Sequence, residues 1–240
     1  SLAEMGSLIV LCLYIGAKID KDKYGLKPVY DGKLLIKVLN LSVWSMLHAF
    51  ISVAPWFLFF VAIEHLGKTE LAISNITRSV SAIFFVIANS FAVTTGSLVS
   101  NAIGARARNE LFPICHKILK LGYAVGIPFV VVTLLCNRWI VSFYTDNELL
   151  IELAFAPFMV MLLNYTFALP GYVYLNAVGG TGQTKITFLF QVTTTCVYLV
   201  YLYWLSFCIK ASLSLYLTAE YLFVILLALQ SITYLKSKHY

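Results

Sequence analysis

The residues best suited to chemistry sit inside the run "NITRSVSAIFFVIANSFAVTTGSLVSNAIGARARNE". Asn75, Arg78, Ser79, Ala82, Asn89, Gly96, Ser97 and Ser100 recur there at spacings of three, four and seven. Side chains at those spacings share one face of a helix. The stripe is polar or small, and its polar members Asn75, Arg78, Ser79, Asn89, Ser97 and Ser100 can donate or accept hydrogen bonds but supply no activated nucleophile, so the chemistry open to them is recognition. In an apolar helix such a stripe faces the bundle interior or a water-filled cavity. The competing reading is that Gly, Ser and Asn permit close helix packing and interhelical hydrogen bonds. Packing suits Ser97 and Ser100 better than Arg78 and Asn89. Arg78 has a third option, because an arginine near a span end can snorkel to the headgroups.

The other reactive side chains form no catalytic constellation. His48, His65, His116 and His239 are dispersed, and no HExxH, GxSxG or phosphate-loop pattern occurs. "GGTGQTK" departs from GxxxxGK[ST], and no strand precedes it. His48, alone on an apolar helix, reads first as a satisfied buried histidine. The five cysteines are scattered without a CxxC pair, so they read as buried apolar thiols, not as a metal or disulfide framework. We expect neither enzyme activity nor a metal. Phe50, Trp56, Tyr172 and Tyr174, with Trp44 and Tyr165, offer ring faces to apolar cations. The same residue types also fill cores and interfacial belts. The candidates for a substrate cavity are Asn75, Arg78, Asn89, Trp44, His48, Asn164 and Tyr165.

The elements that must position these residues follow from composition. Of 240 residues, 60% are hydrophobic and 12% charged, about half the charge of a soluble domain. A helix needs about 20 apolar residues to cross about 30 Å of hydrocarbon. Six segments qualify: 34–63, 71–103, 118–136, 149–178, 186–209 and 213–235. Barrel strands would be about 10 residues long with alternating polarity, which these are not. The fold class is all-α, a polytopic helical membrane protein. A shorter apolar segment, 2–17, has Glu4 at its front and lysines behind. That is the reverse of a signal peptide, and it reads as the end of a preceding transmembrane helix.

Charge orients the spans. Thirteen Lys and Arg fall on one side, in the connections around 18–37, 106–120 and 185 and at the tail, against Lys68, Arg138 and Lys210 on the other. The positive-inside rule places the basic side and the C-terminus in the cytoplasm. The net charge of +6 then serves orientation and contact with anionic lipid, and no nucleic-acid partner is expected. Pro55, Pro128, Pro157 and Pro170 fall within spans, where each removes a backbone donor and marks a kink or hinge. "ALPGYVYLNAVGG" reads as a bent helix with a loose end.

"ELAISNITRSV", "ANSFAVTTGSLVSNAIGARARNE" and, one helix pair later, "YLNAVGGTGQTK" resemble the multidrug and toxic compound extrusion (MATE) family. The matching turns are Val99 to Ala105 and the glycine-rich Gly180, Gly182, Gln183, Thr184 and Lys185. The resemblance runs from 34 to about 209.

The resemblance implies a two-lobe transporter whose second lobe is this chain. Residues 1–17 would end the first lobe, 18–33 form the cytoplasmic interlobe loop, 34–235 the six-helix lobe and 236–240 a cytoplasmic tail. It implies an exporter of small amphipathic or cationic compounds, driven by a proton or sodium gradient through alternating access. The setting would be a bacterial inner (plasma) membrane. The partners would be a small-molecule substrate, the N-terminal lobe and the lipid bilayer, with no cofactor beyond the coupling ion. Several family members carry coupling carboxylates at positions that fall here on Ser52 and Pro170, neither acidic. Between 34 and 209 the acidic residues Glu64, Glu70, Glu110, Asp146, Glu148 and Glu152 lie in or near loops. Coupling is therefore expected in the N-terminal lobe. A lipid-linked saccharide flippase of similar architecture, or a seven-helix receptor, are the alternatives.

Overall fold

Lipid offers no hydrogen bonds, so a spanning backbone must satisfy its own, and the apolar segments do so as helices. The computed structural model describes residues 2–18, 31–209 and 211–238, with no strand among them. Six helical segments are long and apolar enough to cross a membrane: Gly32–Glu64, Lys68–Gly104, Arg108–Leu135, Glu148–Gly180, Thr184–Ile209 and Leu213–Ser237. The chain is an integral membrane protein. The third span begins ten residues before the expected 118, because Lys117 and Lys120 lie on helix with exposed side chains. Lysine stems can lie along a helix end while the ammonium reaches water.

The helices are α1 (Leu2–Lys18), α2 (Gly32–Glu64), α3 (Lys68–Gly104), α4 (Leu111–Leu135) and the short α5 (Asn137–Ser142). There follow α6 (Glu148–Leu163), α7 (Tyr165–Gly180), α8 (Thr184–Trp204), which runs into a π-helical turn at Leu205–Ile209, and α9 (Leu213–Ser237). The chain divides into two units, residues 1–40 and 41–240. In the first, α1 presents Met5, Leu8, Ile9, Val10, Leu11 and Leu13 outward. α2 starts earlier than the expected 34 because Asp31 Oδ1 accepts from the amides of Lys33 and Leu34 at 2.9 and 3.1 Å, an N-cap. Most of the expected 18–33 loop lies outside the described residues.

In the second unit α3 packs most extensively on α7, and α7 on α9. Lipid supplies no hydrophobic drive between helices, so close approach relies on small residues. Gly180 lies against the carbonyl of Gly96, where an added Cβ would stand 2.5 Å from that oxygen. Gly171 meets the carbonyl of Val224 in the same way, at 2.7 Å. Gly122 and Gly126 on α4 form a groove for Leu169 and Tyr165. The turn between α7 and α8 needs Gly182, whose φ is 83°, a region glycine enters without steric cost.

Large apolar side chains face outward along every span. That also corrects the expectation for the cysteines. Cys115 is buried, while Cys12, Cys136, Cys196 and Cys208 are exposed, since hydrocarbon suits an apolar thiol as well as a core does.

Pro55, Pro128, Pro157 and Pro170 all lie inside helices. The fourth span is interrupted at Asn164, between α6 and α7, and not at Pro170–Gly171. The helix continues through Pro170 because of a contact with α4. Pro170 has no N–H for the carbonyl of Thr166, and the Tyr123 hydroxyl donates to that carbonyl instead, at 2.7 Å.

Candidate functional site

α2 sits less closely on its neighbours than α3 does on α7. It buries only Pro55, Phe59 and Ile63 and meets α3 and α8 through large side chains. The gaps so left hold several polar side chains. A cavity of about 180 Å³ is lined by His48, Ser52 and Trp56 of α2, Asn89 of α3, Tyr172 and Asn176 of α7, Gln191 of α8 and Glu220 of α9. It has room for about six waters at about 30 Å³ each. His48 and Asn176 also line an open cleft of about 580 Å³ with Ser97, Ser100, Asn101 and Thr187. That cleft lies where α3 and α7 end and α8 begins, the basic end of the lobe.

Glu220 is 7% exposed. Tyr198, itself fully buried, donates its hydroxyl to Glu220 Oε1 at 2.9 Å. The α8–α9 seam is held further by Tyr201 with Thr218 at 3.0 Å and by Tyr216 donating to Ser206 at 2.9 Å. Glu220 also lines two small crevices of about 40 and 10 Å³. One holds Asn164 and Tyr165, the other Arg78. The carboxylate therefore stands where three spaces meet.

Arg78 is exposed, and its guanidinium lies over Phe60 at 4.8 Å and over Trp56 at 5.6 Å. Such stacking contributes about 0.5–1 kcal/mol at an exposed site. It offsets part of the about 2.5–3.5 kcal/mol that a central arginine costs on insertion scales.

His48 and Asn89 thus share one cavity, Asn164 and Tyr165 the crevice beside it, and Arg78 the third space. Tyr165 has its hydroxyl committed, donating to the Gly122 carbonyl at 2.8 Å. His48 Nε2 and Asn164 Oδ1 are buried without a hydrogen-bond partner among the described residues. Trp44 stands apart, against Phe188 at 5.5 Å and beneath the Lys185 ammonium at 5.3 Å. Asn75 is exposed on α3 and joins none of these spaces. The whole stripe of α3 is unburied, while Thr77, Val80, Phe84, Ala88, Ala92 and Val99 face the core.

Glu220 and Tyr198 are the residues that reading the sequence missed. The available signal is a lone carboxylate within "YLTAEYLFVILLALQ", which lies beyond the 34–209 stretch of the resemblance. Ser52, where the resemblance would place a carboxylate, lines the same cavity as Glu220.

The MatE family model matches residues 45–205, most of the lobe and four of the five helices around the cavity. The chain belongs to the MatE family. Solved MATE structures share its fold. One is described as a crystal structure of MATE in the bent conformation, with a TM-score of 0.74 at 18% identity over 85% of this chain and 45% of that one. An outward-facing multidrug resistance MATE transporter of the MOP superfamily gives 0.74 at 17% identity, covering 89% and 49%. A MOP superfamily transporter from Pyrococcus furiosus, described as having a binding pocket of reverse polarity, gives 0.69 at 17%, covering 82% and 43%. This MatE chain spans less than half the length of these structures. No curated protein sequence matches it.

Proposed function

We propose that this MatE chain is the C-terminal six-helix lobe of a secondary exporter. It carries small amphipathic or cationic compounds by alternating access, driven by a proton or sodium gradient. Its partners are the substrate, an N-terminal lobe that holds a coupling site for H+ or Na+, and the bilayer. The observation that carries the reading is the line of spaces, largely apolar but holding polar side chains, that runs from Arg78 past Glu220 to the open cleft.

Drug-sized ligands occupy pockets of about 300–1,000 Å³. The cleft at about 580 Å³ is of that size, and the 180 Å³ cavity suits water or a small ion. Aromatic rings at Trp56, Phe60 and Tyr172 favour cations. Arg78 is the single Lys or Arg that lines these spaces. That disfavours the pyrophosphate head group of a lipid-linked saccharide.

Asn89→Leu tests the reading. Export of a fluorescent cation per folded molecule should fall while thermal stability stays near the wild-type value. If Asn89 serves only as packing, stability should instead fall by about 0.6 kcal/mol, the average for an interhelical hydrogen bond, with export intact. Substrate should also protect a Ser97→Cys thiol, in the cleft, from labelling.

The basic end lies in the cytoplasm of the proposed bacterial inner membrane, by the positive-inside rule. Of Lys68→Cys and Arg108→Cys, only the first should react with an impermeant maleimide added to intact cells. Labelling at 108 would reverse the topology.

A further inference from the structure

Among the described residues Glu220 is the acidic side chain set well within a span. The others, such as Glu64, Glu70, Glu110 and Glu148, stand at helix ends or turns. An intramembrane carboxylate needs a compensating positive charge, and here no fixed one is supplied. Arg78 shares a crevice with Glu220, yet its guanidinium is stacked on Phe60 and Trp56. The phenol of Tyr198 donates to Oε1, which orients the carboxylate and leaves Oε2 available. The counter-charge at Glu220 must then be a mobile one.

The surroundings select which cation. A divalent metal ion asks for about six oxygen ligands, and no group of three His, Cys, Asp or Glu occurs among the described residues. Beside Glu220 the walls are largely ring faces, those of Trp56, Tyr172 and Phe223. A proton needs only the carboxylate and a route to water. That route is present. The 180 Å³ cavity runs from Glu220 to His48, and His48 also borders the open cleft. His48 therefore stands between the two spaces, with its Nε2 buried and without a partner among the described residues.

We propose that Glu220, oriented by Tyr198, is a proton-exchange site of this lobe, opening through the His48 cavity to the basic-end cleft. The inference rests on the transport reading above and adds an obligatory second site to the one expected in the N-terminal lobe. A proton adds to Oε2 from water on one side of the membrane and leaves to a cavity water on the other; no electron moves. The other titratable or charged groups facing these spaces are Tyr198 on α8, Tyr172 and Tyr165 on α7, His48 on α2 and Arg78 on α3; α6 contributes none. Of these residue types histidine alone titrates near neutrality when unperturbed, so His48 needs its own control.

The test uses the full-length transporter and two independent measurements. In infrared difference titration the wild type should show a protonated-carboxyl band that is absent in Glu220→Gln, unchanged in His48→Gln and shifted in frequency in Tyr198→Phe. Exchanging sodium for potassium should not alter it. In proteoliposomes a tetraphenylphosphonium gradient should drive proton counterflow in the wild type. In Glu220→Gln this counterflow should fall to the level of protein-free liposomes.

Gln keeps an acceptor for the Tyr198 hydroxyl. Should that variant not fold, the band shift in Tyr198→Phe decides, and an unshifted band overturns the proposal. A band that persists in Glu220→Gln, or one displaced by sodium, also overturns it. Proton-driven flux that survives in Glu220→Gln ends the proposal but leaves the transport reading standing. A titrating band lost in Glu220→Gln, without flux under any gradient, supports the site and ends the transport reading.

Discussion

Gly126→Ala is expected to lower the stability of the lobe by about 1–3 kcal/mol, the usual cost of forcing a methyl group into a packed interface. A Cβ at this position would lie 2.2 Å from ring atoms of Tyr165, well inside van der Waals contact. The ring has little freedom to retreat. Its hydroxyl is tied to the Gly122 carbonyl at 2.8 Å, one turn away on the same helix, and its edge meets Phe84 at 6.2 Å between centroids. Gly122 is equally constrained, since its own Cβ would stand 2.7 Å from Leu169. The pair forms a small-xxx-small groove on α4 that admits the start of α7.

Thermal denaturation in detergent checks the expectation. Gly104→Ala is the control, because nothing lies within 4 Å of a Cβ there. Tyr165→Ala should be destabilising alone, yet in combination it should remove much of the Gly126→Ala penalty, a non-additivity expected of groups in contact. An unchanged melting temperature for Gly126→Ala would mean that α4 and α7 do not meet through this groove.

The chain reconstituted alone is expected to move no substrate. Alternating access requires two bodies that rock about a shared site, and the spaces described here form the wall of one. Arg78, Asn89, Ser97, Ser100 and Asn101 are exposed on α3, and the 580 Å³ cleft is open. The chain also covers only 43–49% of the MATE structures that share its fold. Vesicles holding the purified chain should take up a fluorescent cation no faster than protein-free vesicles, under proton and sodium gradients alike. Joining it to the proposed N-terminal lobe should restore uptake. Gradient-dependent uptake by the chain alone would mean that one lobe encloses a complete path.

The sequence by itself determined the solvent, the six spans and the family. Apolar runs of about 20 residues have one stable solution in lipid, so 34–63 or 213–235 could be read without knowing any neighbour. The stripe on α3 was legible because helical spacing alone puts Asn75, Arg78 and Asn89 on one side. Tertiary structure decided what that side meets. It set Arg78 on Trp56 and Phe60, Asn89 in a cavity with His48, and Asn75 outside all three spaces. It also decided that Tyr165, although aromatic and polar, is a fastener between α4 and α7.

The same holds for the continuity of the fourth span through Pro170, where a hydroxyl from Tyr123, 43 residues away, satisfies the freed Thr166 carbonyl. Glu220 shows the boundary most plainly. Its presence in a span could be read from the sequence. Its pairing with Tyr198 and its place where three spaces meet arise only when α9 packs on α7 and α8, with α2 and α3 completing the walls. A helix period reports which face a residue occupies, and only packing determines whether that face meets lipid, protein or water.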